Sequence, residues 1–265
     1  MCSDPDPPCI WWCPTGPLAF LPIHAAGLYD TRDPGYKLSE FVTSSYTYTL
    51  TALLQPLPTT QKSFQGFLGV GLPLTPGQSP LPNVEKELAH IKKFGSSLGF
   101  HSLLGELATV ESVVKGMEQH SWVHIACHAV QDTIEPNQSA FCLYNGHLTL
   151  SEITAKLFPH ADFAFLSACQ TATGDENLPE EAVHLAAGML AAGYQSVIAT
   201  MWSIMDDDAP LVAAEVYSHL IRSTKPDSTR AAHALHHAVK QLREQLEGDG
   251  KSSFLSWVPF IHVGM

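Results

Sequence analysis

The chain has 265 residues, 45% of them hydrophobic and 15% charged, which describes a folded globular protein with a sizeable core and excludes a disordered one. Its formal net charge is −12 and no basic cluster exceeds Lys92-Lys93, so no nucleic-acid partner is expected. The first residues lack the charged-then-apolar pattern of a signal peptide. The longest apolar run, Ala186 to Thr200, is broken by Gly188 and Gly193 into helix, turn and strand, so no membrane segment is expected either.

In chain order, the polar, Pro-rich residues 1–9 read as a disordered N-terminal segment, followed by one folded domain over 10–265. Ile10 to Cys13 is strand-like, Leu18 to Leu21 closes on Pro22, and Thr31 to Ser39 is turn-rich. A strand at Phe67 to Val70 ends in a Pro/Gly loop spanning Pro73 to Pro82. Asn83 then caps a helix carrying Val84, Leu88, Ile91 and Phe94, which Gly95 is suited to end. A short strand at Ser102 to Leu104 precedes a second helix, capped by Thr109.

Trp122 to Cys127 is almost continuously apolar, as a strand buried on both faces would be. Phe141 to Leu150 reads as a hairpin turning at Asn145-Gly146, and Ser151 opens a short helix. Asp162 to Ala168 and Ser196 to Trp202 are further buried strands around a small-residue helix at Glu181 to Ala192. Helices at Asp207 to Ile221 and Ser228 to Leu246 precede a closing strand at Ile261 to Val263. Alternating buried strands and helices imply an α/β domain with a mostly parallel sheet covered on both faces.

Two of those strands run out at reactive side chains, His128 and Cys169. In a parallel sheet, chemistry collects where loops diverge at the carboxyl ends of strands. A thiol with a pKa near about 8.5 is only a few per cent thiolate at neutral pH, and a neighbouring imidazole can take its proton and later protonate a leaving amine. Spacing alone also leaves room for a buried structural Cys and a satisfied core His.

The segments Val123-His124-Ile125-Ala126-Cys127-His128 and Phe165-Leu166-Ser167-Ala168-Cys169-Gln170-Thr171-Ala172 closely resemble the two catalytic motifs of CHAT domains, peptidases of the caspase and separase clan. The likeness extends over nearly the whole chain. It includes Trp11-Trp12-Cys13-Pro14-Thr15-Gly16-Pro17, Leu21 to Ala26, Glu181 to Tyr194, Thr200 to Ile204 with Asp206, and Trp257-Val258-Pro259-Phe260.

The resemblance implies a caspase-like three-layer α/β/α sandwich and a cysteine endopeptidase acting through a thioacyl-enzyme, in regulated signalling or cell death. By resemblance, His128 is the base and Cys169 the nucleophile, with the backbone N–H groups of Ala129 and Cys169 as oxyanion donors. The family usually has Gly after the catalytic His; Ala129 donates the same N–H but would be strained at positive φ. The residue two before the nucleophile, which lines the P1 pocket in related peptidases, is the uncharged Ser167. Asp175, Glu176, Glu180 and Glu181 follow the nucleophile and offer negative potential, leaving P1 preference open.

The expected partners are a protein or peptide substrate and a helical-repeat regulatory region, since CHAT domains commonly follow such repeats; the abrupt start before Ile10 suggests a fragment or short form. A catalytically weak or inactive CHAT-like interaction module is the alternative.

Six cysteines, Cys2, Cys9, Cys13, Cys127, Cys142 and Cys169, lack disulfide-framework spacing, which predicts a reducing, cytoplasmic setting. Other motifs are weaker. Gly95-Ser96-Ser97-Leu98-Gly99 matches the serine-hydrolase elbow pattern, but it follows a helix and precedes a strand, the reverse of what an elbow needs. His124, Cys127 and His128 lack a second ligand cluster, so neither a metal nor a cofactor is expected. His233, His236 and His237 are expected on an exposed or partly exposed helix side.

Overall fold

Short apolar runs set the central sheet. The computed structural model describes residues 6–31, 33–54, 63–130, 132, 134–167, 169–170, 181–221, 226–248 and 254–265. The first part of the chain forms β1 (Cys9–Trp12), β2 (Thr43–Tyr46), α1 (Leu50–Leu54), β3 (Phe67–Gly71), α2 (Val84–Gly95), β4 (Phe100–Leu104) and α3 (Val110–Gln119). The middle forms β5 (Trp122–Ala126), β6 (His128–Val130), β7 (Ala140–Leu143), β8 (Gly146–Thr149), α4 (Leu150–Thr154), β9 (Phe163–Leu166) and β10 (Cys169–Gln170). The remainder forms α5 (Glu181–Ala191), β11 (Ser196–Thr200), α6 (Ala209–Leu220), α7 (Ala231–Gly248), α8 (Phe254–Trp257) and β12 (Phe260–Gly264).

Eight strands make the main sheet in the order β1-β2-β12-β11-β9-β5-β3-β4. Every pairing in it is parallel except β11 with β12. Alternate side chains of each inner strand enter opposite layers, as the two-residue period of a strand requires. Phe67, Trp122, Phe163, Phe165 and Ile198 face α2, α6 and α7, where Tyr217, Val216 and Leu235 pack on them. Leu68, Val123, Ile125, Ala164 and Val197 face the other way, onto Val113 and Met117 of α3 and Leu185 and Met189 of α5. The result is an α/β/α sandwich with a mostly parallel sheet, as expected from the buried runs.

Several boundaries moved, each for a local reason. Thr109 caps α3 as expected, in a reciprocal box with Ser112. The short helix α4 is capped by Thr149, paired with Glu152, rather than by Ser151. The hairpin turns on Tyr144-Asn145, one residue earlier than expected, because Leu143 pairs with Gly146. Gly95 ends α2, and Gly99 takes a positive φ of 70° after a 3-10 turn at Ser96–Leu98, so the G-x-S-x-G match is a helix stop. Leu18 lies in another 3-10 turn, Gly16–Phe20. Of the N-terminal segment, residues 1–5 lie outside the described residues, while Asp6 contacts Arg230 and His237 on and beside α7. His233, His236 and His237 are all partly exposed, as the helix pattern suggested.

Strand β2 carries no apolar signature, and the sequence pattern misses it. Its burial is supported by polar pairing instead. The Ser45 hydroxyl donates to the Gly264 carbonyl at 3.0 Å and accepts from His262 Nδ1 at 2.8 Å. His262 Nε2 then accepts from the Ser196 hydroxyl at 2.8 Å. Burial pushes His262 down to about 3, which keeps the ring neutral and compatible with that arrangement.

Candidate active site

Strands β5 and β9 are neighbours in the main sheet, with Ile125 opposite Leu166. Both chains then leave that sheet and pair again. His128 lies opposite Cys169, and Ala129 opposite Gln170, in the parallel ladder of β6 with β10. The register set by the apolar runs of β5 and β9 therefore carries through to the reactive positions, and strand spacing puts the two backbones about 4.8 Å apart. The Ser167 amide, which donates to the Ile125 carbonyl at 2.8 Å, ties the two chains at the crossover between sheets. The second sheet has the order β10-β6-β7-β8. A strand end was expected at each reactive residue; instead each begins a short strand of two or three residues, too brief for periodicity to register. The side chain of Cys169 and the whole of Asp175 lie outside the described residues.

His128 is buried, and its Nε2 lies 2.7 Å from the Ser79 carbonyl. A carbonyl only accepts, so Nε2 carries the proton and donates. In the neutral ring the other nitrogen, Nδ1, then holds the free lone pair. Nδ1 is buried and has no hydrogen-bond partner among the described residues. It is the ring nitrogen with a lone pair to offer a proton donor.

Ser79 belongs to the Pro/Gly loop between β3 and α2, which read in the sequence only as a strand terminator. That loop closes on itself through the Leu81 amide to the Pro73 carbonyl at 2.9 Å and the Gln78 amide to the Thr75 carbonyl at 3.1 Å. Gly77, at φ 80°, supplies the left-handed residue that the inner turn needs. Asn83 pins the loop's far end. Its backbone amide donates to Asp206 Oδ2 at 3.1 Å, and its side-chain amide to Asp206 Oδ2 at 2.9 Å and Asp207 Oδ1 at 2.8 Å. Asn83 makes no side-chain cap on α2, because its amide is engaged with these two carboxylates.

Ala129 lies in β6 between Gln170 of β10 and Phe141 of β7. No non-glycine residue among those described has a positive φ, so Ala stands at this position without that strain. Ser167 is buried, and its hydroxyl donates to Glu87 Oε2 at 3.2 Å. The other Glu87 oxygen stands 3.1 Å from His124 Nε2, close but not aligned as a hydrogen bond. His124 Nδ1 lies 3.2 Å from the Tyr217 hydroxyl, whose ionisation burial, with the charge of Glu87, pushes well above the usual range. Sequence reading missed Glu87 altogether, since a lone Glu in the first turn of a helix reads as a solvated residue. Among the described residues no group of three His, Cys, Asp or Glu side chains is placed to hold a metal ion.

A family model for the CHAT domain matches residues 4–265. The chain belongs to the CHAT family. No curated protein matches it. Among solved structures, the CHAT chain resembles the Arg-specific cysteine proteinase gingipain R, with a TM-score of 0.53 and 12% identity over 85% of this chain and 54% of that one. It resembles Saccharomyces cerevisiae separase in its securin complex with a TM-score of 0.54 and 15% identity, over 86% of this chain and 14% of that one. A complex of the pro- and mature domains of Porphyromonas gingivalis RgpB matches with a TM-score of 0.50 and 12% identity, over 84% of this chain and 55% of that one. The CHAT chain thus spans about half the length of the gingipain chains. At these identities the likeness establishes the fold, which is caspase-like. No helix among the described residues is long and apolar enough to cross a membrane.

Proposed function

We propose that this CHAT domain, taken as one unit over residues 10–265, is a cysteine endopeptidase with Cys169 as nucleophile and His128 as general base. The observation that carries the reading is the setting of His128: Nε2 is anchored on the Ser79 carbonyl, Nδ1 has no hydrogen-bond partner among the described residues, and the residue opposite in the ladder is Cys169. Nδ1 takes the thiol proton, and the thiolate attacks the substrate carbonyl. The backbone N–H groups of Ala129 and Cys169 hold the oxyanion. The same nitrogen then hands its proton to the leaving amine as the C–N bond breaks. A water deprotonated by His128 hydrolyses the thioester and restores the thiol. Because Nε2 is held, the ring does not flip between these steps, so one nitrogen serves as base and then as acid.

The substrate is a protein or peptide, within regulated signalling or cell death, and a helical-repeat region is the fitting regulatory partner. A reducing cytoplasm suits Cys9, Cys13 and Cys142, which form no disulfide among the described residues. Ser167 and Asp175 remain the substrate-pocket candidates. Ser167 is hydrogen-bonded to Glu87, so any contact with substrate would be made by an oriented hydroxyl.

The test is labelling by an electrophilic peptide. The intact protein should label at one thiol, with loss of about a thousandfold in rate in Cys169→Ala and His128→Ala. Equal labelling of the parent and both variants would sink the reading in favour of an inactive interaction module.

A further inference from the structure

Away from the dyad lies a cavity of about 600 Å³, within the size range of small-molecule sites. It lies at the sparsest pairing of the main sheet, where β2 and β12 share a single paired position, Val263 with Tyr46. His24 lines it, with Nδ1 2.7 Å from the Tyr46 hydroxyl and Nε2 2.8 Å from the Val258 carbonyl. Helix α7 lies along one side. Strand β11 and β12 itself separate the cavity from β9, so it is not the peptidase cleft.

Its walls combine an apolar body with a cationic corner. Phe41, Leu235, Val239, Trp257 and Phe260 supply the apolar surface. Arg243 reaches in from α7 with its guanidinium 5.7 Å from the centre of the Trp257 ring. One terminal nitrogen donates to the Ser39 hydroxyl at 3.3 Å. Its Nε is buried with no hydrogen-bond partner among the described residues; Glu247 is an ion-pair partner at 3.8 Å, beyond hydrogen-bond reach. Lys240 lines the cavity one turn earlier on the same helix.

The two acids on the wall are already engaged. Asp6 pairs with Arg230 and His237, and Glu40 accepts from the Gly35 amide. His236, in the same wall, is pushed down to about 4 by burial, and further by the positive charges of His237, Lys240, His233 and Arg243 around it. With both wall carboxylates engaged elsewhere, Arg243 is left as the wall's cation with a buried donor to offer an anion.

We propose that this cavity binds an amphipathic anion: an unbranched or aromatic apolar body seated between α7 and the sheet, with a carboxylate head accepting from Arg243. The buried Nε donor gains the acceptor it lacks, and the apolar body covers Trp257 and Phe260. Binding here does not depend on the peptidase reading, and it is measured without reference to Cys169.

The experiment is calorimetric titration of the full chain with decanoate below its micellar range, and with decanol as the uncharged counterpart. Decanoate should bind saturably at one site per chain. Arg243→Gln should weaken decanoate at least about tenfold, equivalent to about 1.4 kcal/mol, while leaving decanol unchanged. Val239→Trp, which fills the cavity, should abolish binding of both. A thermal melt of each variant checks that it is folded, and Arg243→Gln, which replaces one polar side chain by a smaller one, carries the test if Val239→Trp does not fold. Absence of saturable decanoate binding, or binding that Arg243→Gln leaves unchanged, overturns the proposal.

Discussion

Replacing Glu87 by Ala should cost this fold about 3–5 kcal/mol, the sum of a void in a packed layer and a buried hydroxyl left without its acceptor. The carboxylate is buried under α2, with Ser167 on one oxygen and His124 3.1 Å from the other. His124 in turn lies within the aromatic layer, its ring centre 4.9 Å from that of Phe165 and 5.8 Å from that of Tyr217. The buried Ser167 hydroxyl would lose its acceptor, and a void would remain beside His124. Against a typical total of about 5–15 kcal/mol, that is a large fraction.

Glu87→Gln keeps the volume. Its amide oxygen accepts from Ser167, and its amide nitrogen donates to His124 once the ring proton moves to Nδ1 and toward Tyr217. The cost should then be only about 1–2 kcal/mol. Urea unfolding followed by tryptophan fluorescence reads both, since Trp122 shares the layer, with its ring centre 6.3 Å from that of Tyr217. A double-mutant cycle with His124→Phe should show coupling of about 1–3 kcal/mol. A cost for Glu87→Ala below about 1 kcal/mol, or additivity within about 0.5 kcal/mol, would refute the reasoning.

Two further outcomes follow from the geometry. Burial lowers His262 to about 3 and His24 to about 4 in the folded chain. The unfolded chain, with ordinary values near about 6.5, therefore binds protons first as pH falls. Stability should be intact above that value and be lost on acidification, each ring contributing a slope approaching about 1.4 kcal/mol per pH unit, and His262→Gln should remove one such share from urea midpoints measured between neutral and mildly acidic pH. Asn83→Ala frees the loop that carries Ser79 and should slow electrophile labelling of Cys169 about tenfold with the melting temperature little changed; an unaltered labelling rate would show that the Asp206 and Asp207 contacts do not position His128.

Much of the architecture was legible because buried parallel strands write themselves as continuous apolar runs. Trp122 to Ala126, Phe163 to Leu166 and Ser196 to Thr200 announce the centre of the sheet, and their spacing prepares the His128–Cys169 register. What stayed hidden is polar or non-local. Thr43 to Tyr46 is a strand through its ladder with β1, and its Ser45 hydroxyl is satisfied by residues more than 200 positions away, which no window of sequence contains. Asn83 looks like a helix cap because its type and position fit, and only the folded chain brings Asp206 against it. The Ser79 carbonyl is invisible in principle, since every residue has one.

The partner that orients His128 is a peptide dipole rather than a carboxylate, so it adds no full charge to favour the imidazolium and is erased by no side-chain substitution. Serine at 79 could be exchanged for many residues with the carbonyl left in place. Sequence drift within the loop is thereby uncoupled from the proton chemistry, while displacement of the whole loop is not. The position of the His128 ring rests on two anchor points, Asn83 and Asp206, 123 residues apart in the chain, so whatever moves the segment after β11 also moves the atom that holds the imidazole.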